Sequence, residues 1–444
     1  MCVLSKTQQQ VIVPQNDVSI NSQWHFGRFY EVERNNRQKK KLQVAEEAFR
    51  QENYIQSIKA VLAYLQNKDL NNIKISRKQS SLSFKLFHGS QLIHGYLKEA
   101  RTLVLETPIM QMPQMLVPVM RKLLEKNYKM QYANYALAGE KVLLRCEMQL
   151  SEMPPQKLLN ALREIAVRAD KDDDLLLLEF PQLRRIETNP LISLPPEIVN
   201  AKINTLKKWL SKTLQHLSSI DEVQFPEATA YCLLGLAYRI DYYLLPEAKI
   251  LANIEEIHSL YYNGNLQNIS SKNQKALQYF KEIQQSSEEK LQAEFYTVVN
   301  TFSLLNDEVD EQEIKNIIAD ELSQIPIYQA NFPAMVNTVY EYIALYLLFY
   351  FALIPPLRKS LGILVDIYNA SFFVENALPF SFMENNRLHA ANIIAEIQAI
   401  IDENAAIYPN FSIDIQAINF TSSELFAGTL FKEILKTSWQ KKES

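Results

Sequence analysis

Glycine is the scarcest common residue here: the sequence has eight in 444 residues, where average usage would supply roughly 30. Each missing glycine is a lost position for cheap positive φ or for close approach of backbone to a ligand. Neither G-x-x-x-x-G-K-[ST] nor G-x-G-x-x-G occurs, which excludes the motif-borne phosphate cradles, and neither a G-x-S-x-G elbow nor an H-E-x-x-H helix is present. Cysteine is sparse as well. Cys2, Cys146 and Cys232 are odd in number and share no paired spacing, which argues against a disulfide framework and against a zinc site. Net charge is only −4, so no global field recruits nucleic acid or anionic lipid. The first thirty residues lack the contiguous apolar segment of a secretory signal. Together these absences point to a reducing cytoplasm.

Long hydrophobic runs are also rare. The exception is Ala334 to Ile354, in which Tyr342 to Ile354 is unbroken for thirteen residues. A spanning helix needs about 20 apolar residues. Asn337, Thr338 and Glu341 interrupt the first half and Pro355-Pro356 ends it, so a buried core helix is expected and membrane insertion is not.

Chemistry-bearing clusters are few. Of the six histidines, His88 and His94 are the close pair, flanking a hairpin turn. A metal would need a third ligand that nothing nearby supplies, so both are expected to face solvent, where they could tune an interface near neutral pH. Asp170-Lys-Asp-Asp-Asp174 lacks the glycine and terminal glutamate of a calcium loop. It is expected to end one helix and cap the next. Asn306 to Glu313 (NDEVDEQE) reads as a helix-opening loop, and the basic run Arg34 to Lys41 as a solvated leader rather than a nucleic-acid arm. Tyr340, Tyr342, Tyr346, Phe349, Tyr350 and Phe351 crowd one helix, where core packing is the expectation and an aromatic groove the alternative. The sequence nominates no catalytic, cofactor-binding or metal residue, and no cofactor.

What is present is helix former: Leu, Ile, Ala, Glu, Lys and Gln dominate. Residues 1–41 are polar and aperiodic. From Leu42 to Leu65, Ala45, Phe49, Ile55, Ile58, Leu62 and Leu65 follow a helix face, and Asn67 to Ser81 reads as a polar break. The period then changes to two. Leu82, Phe84 and Leu86 lead to Gly89-Ser90, a glycine-first pair suited to a type II′ hairpin, with Gln91 to Lys98 returning and Arg101 to Thr107 forming a third strand. Pro113 to Asn127 is a short helix. A second hairpin turns at Gly139-Glu140, its arm Lys141 to Leu150 alternating cleanly. A further helix buries Leu158, Leu159, Leu162, Ile165, Ala166 and Ala169. The expected fold class is therefore an α+β N-terminal domain of order αβββαββα, an antiparallel sheet with helices, over residues 42–182.

FKLFHGSQLIHGYLKEARTLVLETP (Phe84 to Pro108), NYALAGEKVLLRCEMQL (Asn134 to Leu150) and LLNALREIAVRADKDDDLLLLEF (Leu158 to Phe180) resemble the YbjN family and the wider type III secretion chaperone-like fold. The resemblance implies an antiparallel sheet packed on helices, a protein partner and a homodimer through this domain. It carries no catalytic centre to transfer. Residues 183–196, with three prolines, read as a linker, and residues 197–444 as an all-α helical bundle. Expected segments there include Glu288 to Leu305, Glu311 to Leu322 and Glu384 to Glu403. The functional expectation is a non-enzymatic protein-binding protein, chaperone-like or a regulatory adaptor, that holds a polypeptide through the α+β domain without nucleic acid. The alternative is an enzyme or small-molecule-binding protein with a dispersed site in the helical half.

Overall fold

The computed structural model of the protein describes residues 24–28, 36–67, 71–78, 81–186, 192–263, 268–302 and 310–440. The N-terminal part enters through two helices, α1 (Asn36–Arg50) and α2 (Tyr54–Leu65), in place of the single helix expected from Leu42. The break is local: Glu52 takes φ 56°, and the Asn53 side chain caps α2 by accepting from the Gln56 amide at 3.3 Å. The apolar stripe carried the trace of it, stepping six residues from Phe49 to Ile55. Starting α1 at Asn36 makes the end of the supposed leader helical, while residues 1–23 and 29–35 lie outside the described residues.

Four strands follow instead of three: β1 (Ile73–Lys78), β2 (Ser81–His88), β3 (Gln91–Lys98) and β4 (Thr102–Gln111). β1 falls in the stretch read as a polar break. It is an edge strand, and only Ile73 and Ile75 are apolar in it. Helix α3 (Val117–Tyr128), with Pro118 in its first turn, is followed by β5 (Asn134–Ala138), β6 (Lys141–Gln149) and α4 (Pro155–Glu179). The sheet runs β1-β2-β3-β4-β6-β5 with antiparallel neighbours. The order ααββββαββα thus adds one helix and one strand to the expected αβββαββα. Both hairpins turn on their glycines, φ being 55° at Gly89 and 61° at Gly139.

The period of two sorts the sheet into faces. Leu86, Ile93, Leu105 and Leu144 are fully buried on one face, packed on α4 through Leu158, Leu162, Ile165 and Ala166. The supposed linker is stitched in at both ends: β7 (Arg184–Arg185) pairs with β4, and β8 (Ile192–Ser193) pairs with β9 (Tyr296–Thr297). Residues 187–191 lie outside the described residues.

The C-terminal half is helical: α5 (Pro196–Leu217), α6 (Pro226–Leu244), α7 (Ala248–Tyr262), α8 (Ile269–Gln284), α9 (Glu288–Gln292), α10 (Glu311–Asn331), α11 (Val336–Tyr350), α12 (Pro355–Tyr368), α13 (Ala370–Glu375), α14 (Ala390–Asn404) and α15 (Ser423–Lys436). Three expected helices change. Of the segment Glu288 to Leu305, the described residues are helical only through α9, and Tyr296–Thr297 then form a strand. α10 continues past Leu322, carrying Pro326 inside it. A small hairpin of β10 (Met383–Glu384) and β11 (Arg387–Leu388) replaces the start of Glu384 to Glu403. Asp310 caps α10 by accepting from the Gln312 amide at 2.9 Å, so the end of the acidic stretch opens a helix as expected; residues 303–309 lie outside the described residues.

α11 lies at the centre, against α6, α10, α12 and α15. Glu341 survives burial there because Arg239 grips both its oxygens, at 2.9 and 2.7 Å, and Asn369 donates to it at 2.8 Å. No helix among the described residues is long and apolar enough to cross a membrane. The two halves have separate cores, each admitting side chains from the other part of the chain, Phe26 packing beside Trp24 against the helical core. Trp24 packs into the helical core and Phe302 into the core beneath the sheet.

Candidate functional site

The acidic cluster does not end a helix. α4 passes through it unbroken to Glu179, with Asp172 2% and Asp173 0% exposed. The expected end and cap are corrected by helical spacing: positions 172, 173 and 176 continue the buried face of Leu162, Ile165, Ala166 and Ala169 at steps of three and four. Burying carboxylates is costly unless donors meet them, and the sheet supplies donors. Asp173 accepts from the Ser90 hydroxyl at 2.8 Å and the Gln91 side-chain amide at 2.6 Å. Asp170 accepts from the Ser90 backbone amide. Asp172 accepts from the Tyr135 hydroxyl, and from Lys126 at 2.6 Å. Burial, then the Asp172 charge, holds the Tyr135 hydroxyl well above its ordinary range, so it stays a donor. A Cβ on Gly89 would lie 1.9 Å from Asp170 Oδ1; the turn and the close approach both demand glycine. The cluster is a polar clamp that fastens the first hairpin to α4.

His88 and His94 fall on opposite faces of the sheet, so they form no pair. His88 is 1% exposed, against the expectation of a solvent-facing residue. Its Nδ1 accepts from the backbone amides of Thr301 and Phe302 at 3.2 and 3.4 Å. Its Nε2 finds no partner among the described residues, and burial pushes its pKa down to about 3. Thr301 donates to the Phe87 carbonyl and accepts from Asn72 at 2.9 Å. The extended segment after α9 therefore docks on the end of β2 and drives Phe302 inward. No group of three or more His, Cys, Asp or Glu among the described residues could hold a metal ion.

The reciprocal stitch runs through Arg28, which binds Asp241 at 2.7 Å, Glu247 at 3.1 Å and the Pro246 carbonyl at 2.7 Å. Burial opposes the guanidinium charge, but the two carboxylates outweigh it and raise its pKa. Burial pushes Glu247 up to about 7 against the pull of Arg28. Beside them, a crevice of about 60 Å³ opens between α4 and α7, sized for a few waters at roughly 10–15 Å³ each rather than for a substrate. Burial also raises the thiols of Cys146 and Cys232, to about 11 and about 12, which leaves neither a ready nucleophile.

The opposite sheet face has a different character. Lys85, His94, Glu106 and Arg145 align across β2, β3, β4 and β6, with Arg145 3.7 Å from Glu106 and 2.6 Å from Glu147. Burial and then Lys85 lower the His94 pKa, opposed by Glu106. Beside this charged rung, Phe87 pairs with Leu92, and Leu143 pairs with Pro108 and Ala136. Phe87, Leu92 and Leu143 are half-buried and belong to neither core. At the rim, β1 has no strand neighbour on its outer side among the described residues, and Ile75 is 42% exposed.

The aromatic helix is mostly core, as expected: Tyr342 is 2% and Tyr346 6% exposed, although Tyr350 is 43% exposed. Tyr342, Tyr346 and Tyr350 stack at successive turns of α11, and Tyr262 lies parallel to Tyr346 with centroids 5.0 Å apart.

Sequence reasoning missed the clamp and the Arg28 stitch. For the clamp a signal existed, since the carboxylates continue an apolar helical stripe. For Arg28, more than 200 residues from its partners, there was none. No protein-family model matches this chain, and no curated protein matches it.

Proposed function

We propose that this chain is a non-enzymatic binding protein that holds an extended segment of a partner polypeptide on the uncovered side of its N-terminal sheet. The observation that carries the reading is the apolar strip of Phe87, Leu92 and Leu143, which serves neither core and lies beside a charged rung. Such a strip offers side-chain burial, the free side of β1 offers main-chain pairing, and the rung offers register. The resemblance of Leu42 to Phe180 to YbjN and type III secretion chaperone-like proteins supports the same reading, in a cytoplasmic setting.

The test is selection of peptides from a random displayed library on the full chain, followed by titration against Leu143→Asp. The variant side chain stands on the uncovered face, and its fold is checked by circular dichroism. Selected peptides should be rich in apolar residues and lose at least tenfold in affinity on the variant. No enrichment, or equal binding to the variant, defeats the reading.

A further inference from the structure

A second cleft lies where the two halves meet, away from the uncovered sheet face. It has a volume of about 390 Å³, at the small end of the size range of small-molecule sites, which favour domain junctions. α3 contributes Lys122 and Lys126, α4 contributes Leu176 and Glu179, and α7 contributes Lys249 and Asn253. A recess of about 200 Å³, sharing Lys122 and Lys126, adds Lys129 and Arg168 together with the acids Glu125 and Asp172.

Three observations give this cleft a chemistry. Its lining holds three lysines against one glutamate, Glu179, a surplus of two positive charges. Two of the nearby acids are already engaged, Glu179 with Lys122 at 3.2 Å and Asp172 with Lys126 at 2.6 Å. Each ammonium carries three donors and so keeps donors to spare, and Lys249 makes no ion pair among the described residues. Finally, Asn253 is 6% exposed and its Nδ2 has no hydrogen-bond partner among the described residues. Buried donors are almost always satisfied, and an orphan calls for an acceptor from outside the fold. The N-terminus of α7 is not itself the site, because Glu294 already accepts from the Ile250 amide at 2.9 Å.

We infer that this cleft binds the phosphate group of a small molecule. Lys122, Lys126 and Lys249 neutralise the charge, which is about −2 for a phosphate monoester, and the Asn253 amide, whose Nδ2 is closed to solvent in the unliganded fold, turns to donate to one of its oxygens. Because α3 and α4 belong to one half and α7 to the other, the bound anion ties the halves together.

Isothermal titration of the full chain at low ionic strength with inorganic phosphate, pyrophosphate and adenosine monophosphate tests this. Lys249→Ala removes an exposed, unpaired charge, and Asn253→Leu replaces the orphaned amide with an apolar group of similar size; neither removes a hydrogen bond or ion pair of the described fold. At least one probe should bind with a stoichiometry of one, and both variants should weaken it at least fivefold while keeping the wild-type melting temperature without ligand. Phosphate alone binding as tightly as the monophosphate identifies the free anion as the ligand and overturns the small-molecule assignment. Absence of binding by every probe, or wild-type affinity in either variant, overturns the site.

Discussion

The sheet unit and the helical unit solve the same packing problem differently. A sheet has two faces, and α4 seals only one of them, so polar groups are drawn inward at one end and apolar groups are left outward on the other side. The helical unit wraps α11 from several sides and fills the space with aromatic rings. It buries charges too, and each is met by a partner: Arg239 with Glu341, Arg28 with Asp241, Lys436 with Glu433, and Lys202 with the Leu244 carbonyl. The lesson is that the half whose core is sealed on one face is also the half that leaves apolar side chains outside either core. Each unit nonetheless depends on a distant piece of chain, Phe302 in one case and Trp24 in the other.

The largest expected effects break that reciprocity. Phe302→Ala should cost about 3–5 kcal/mol and strip hydrogen-exchange protection from β2 and β3 while α6 and α11 keep theirs. Trp24→Ala should do the reverse. Equal loss in both units from either variant would mean that the two cores behave as one.

An intermediate effect separates the units by pH. His88 is held neutral with its pKa near 3, below the ordinary 6.5, so its contribution is complete above pH 6.5 and is lost as pH falls towards 3. Glu247 has its pKa raised to about 7, so its contribution is complete below the ordinary 4.5 and is lost as pH rises to 7. Each limb should have a slope of about 1.4 kcal/mol per pH unit. Denaturant unfolding across pH 3 to 8 should show His88→Asn flattening the acid limb of the sheet unit and Glu247→Gln the other limb. Unchanged slopes would remove these groups as the source.

The smallest effect compares the two hairpins. Gly139 has open space around its would-be Cβ, so Gly139→Ala should cost only the left-handed strain of about 1–2 kcal/mol. Gly89→Ala should cost more, because Asp170 must also give way. Similar denaturant midpoints for the two variants would show that the clamp on α4 contributes little.

Much of the fold was legible locally. Alternation exposed both hairpins, their glycines marked the turns, 3.6-residue spacing marked α2 and α4, and an unbroken apolar run marked α11. The misses share a cause. β1 at a sheet edge buries Ile73 and leaves Ile75 exposed, too little to print a pattern. The segment after α9 is extended because its end is needed beneath the sheet, a requirement unrelated to its own composition. The resemblance to secretion-chaperone-like proteins suggested a partner-binding sheet, yet it could not say which face stays open.

By itself, then, the sequence determined the order of hydrophobic periods, the turn positions and the absence of motif-borne chemistry, since these depend on residues a few positions apart. Tertiary structure alone decided that Asp172 and Asp173 are buried rather than capping, that His88 is sealed while His94 lies on the open face, and that Lys249 and Asn253 meet α3 across a cleft. Burial of a charge is a bargain with donors supplied by another element. Whether those donors arrive depends on how helices and strands distant in sequence come to rest against one another.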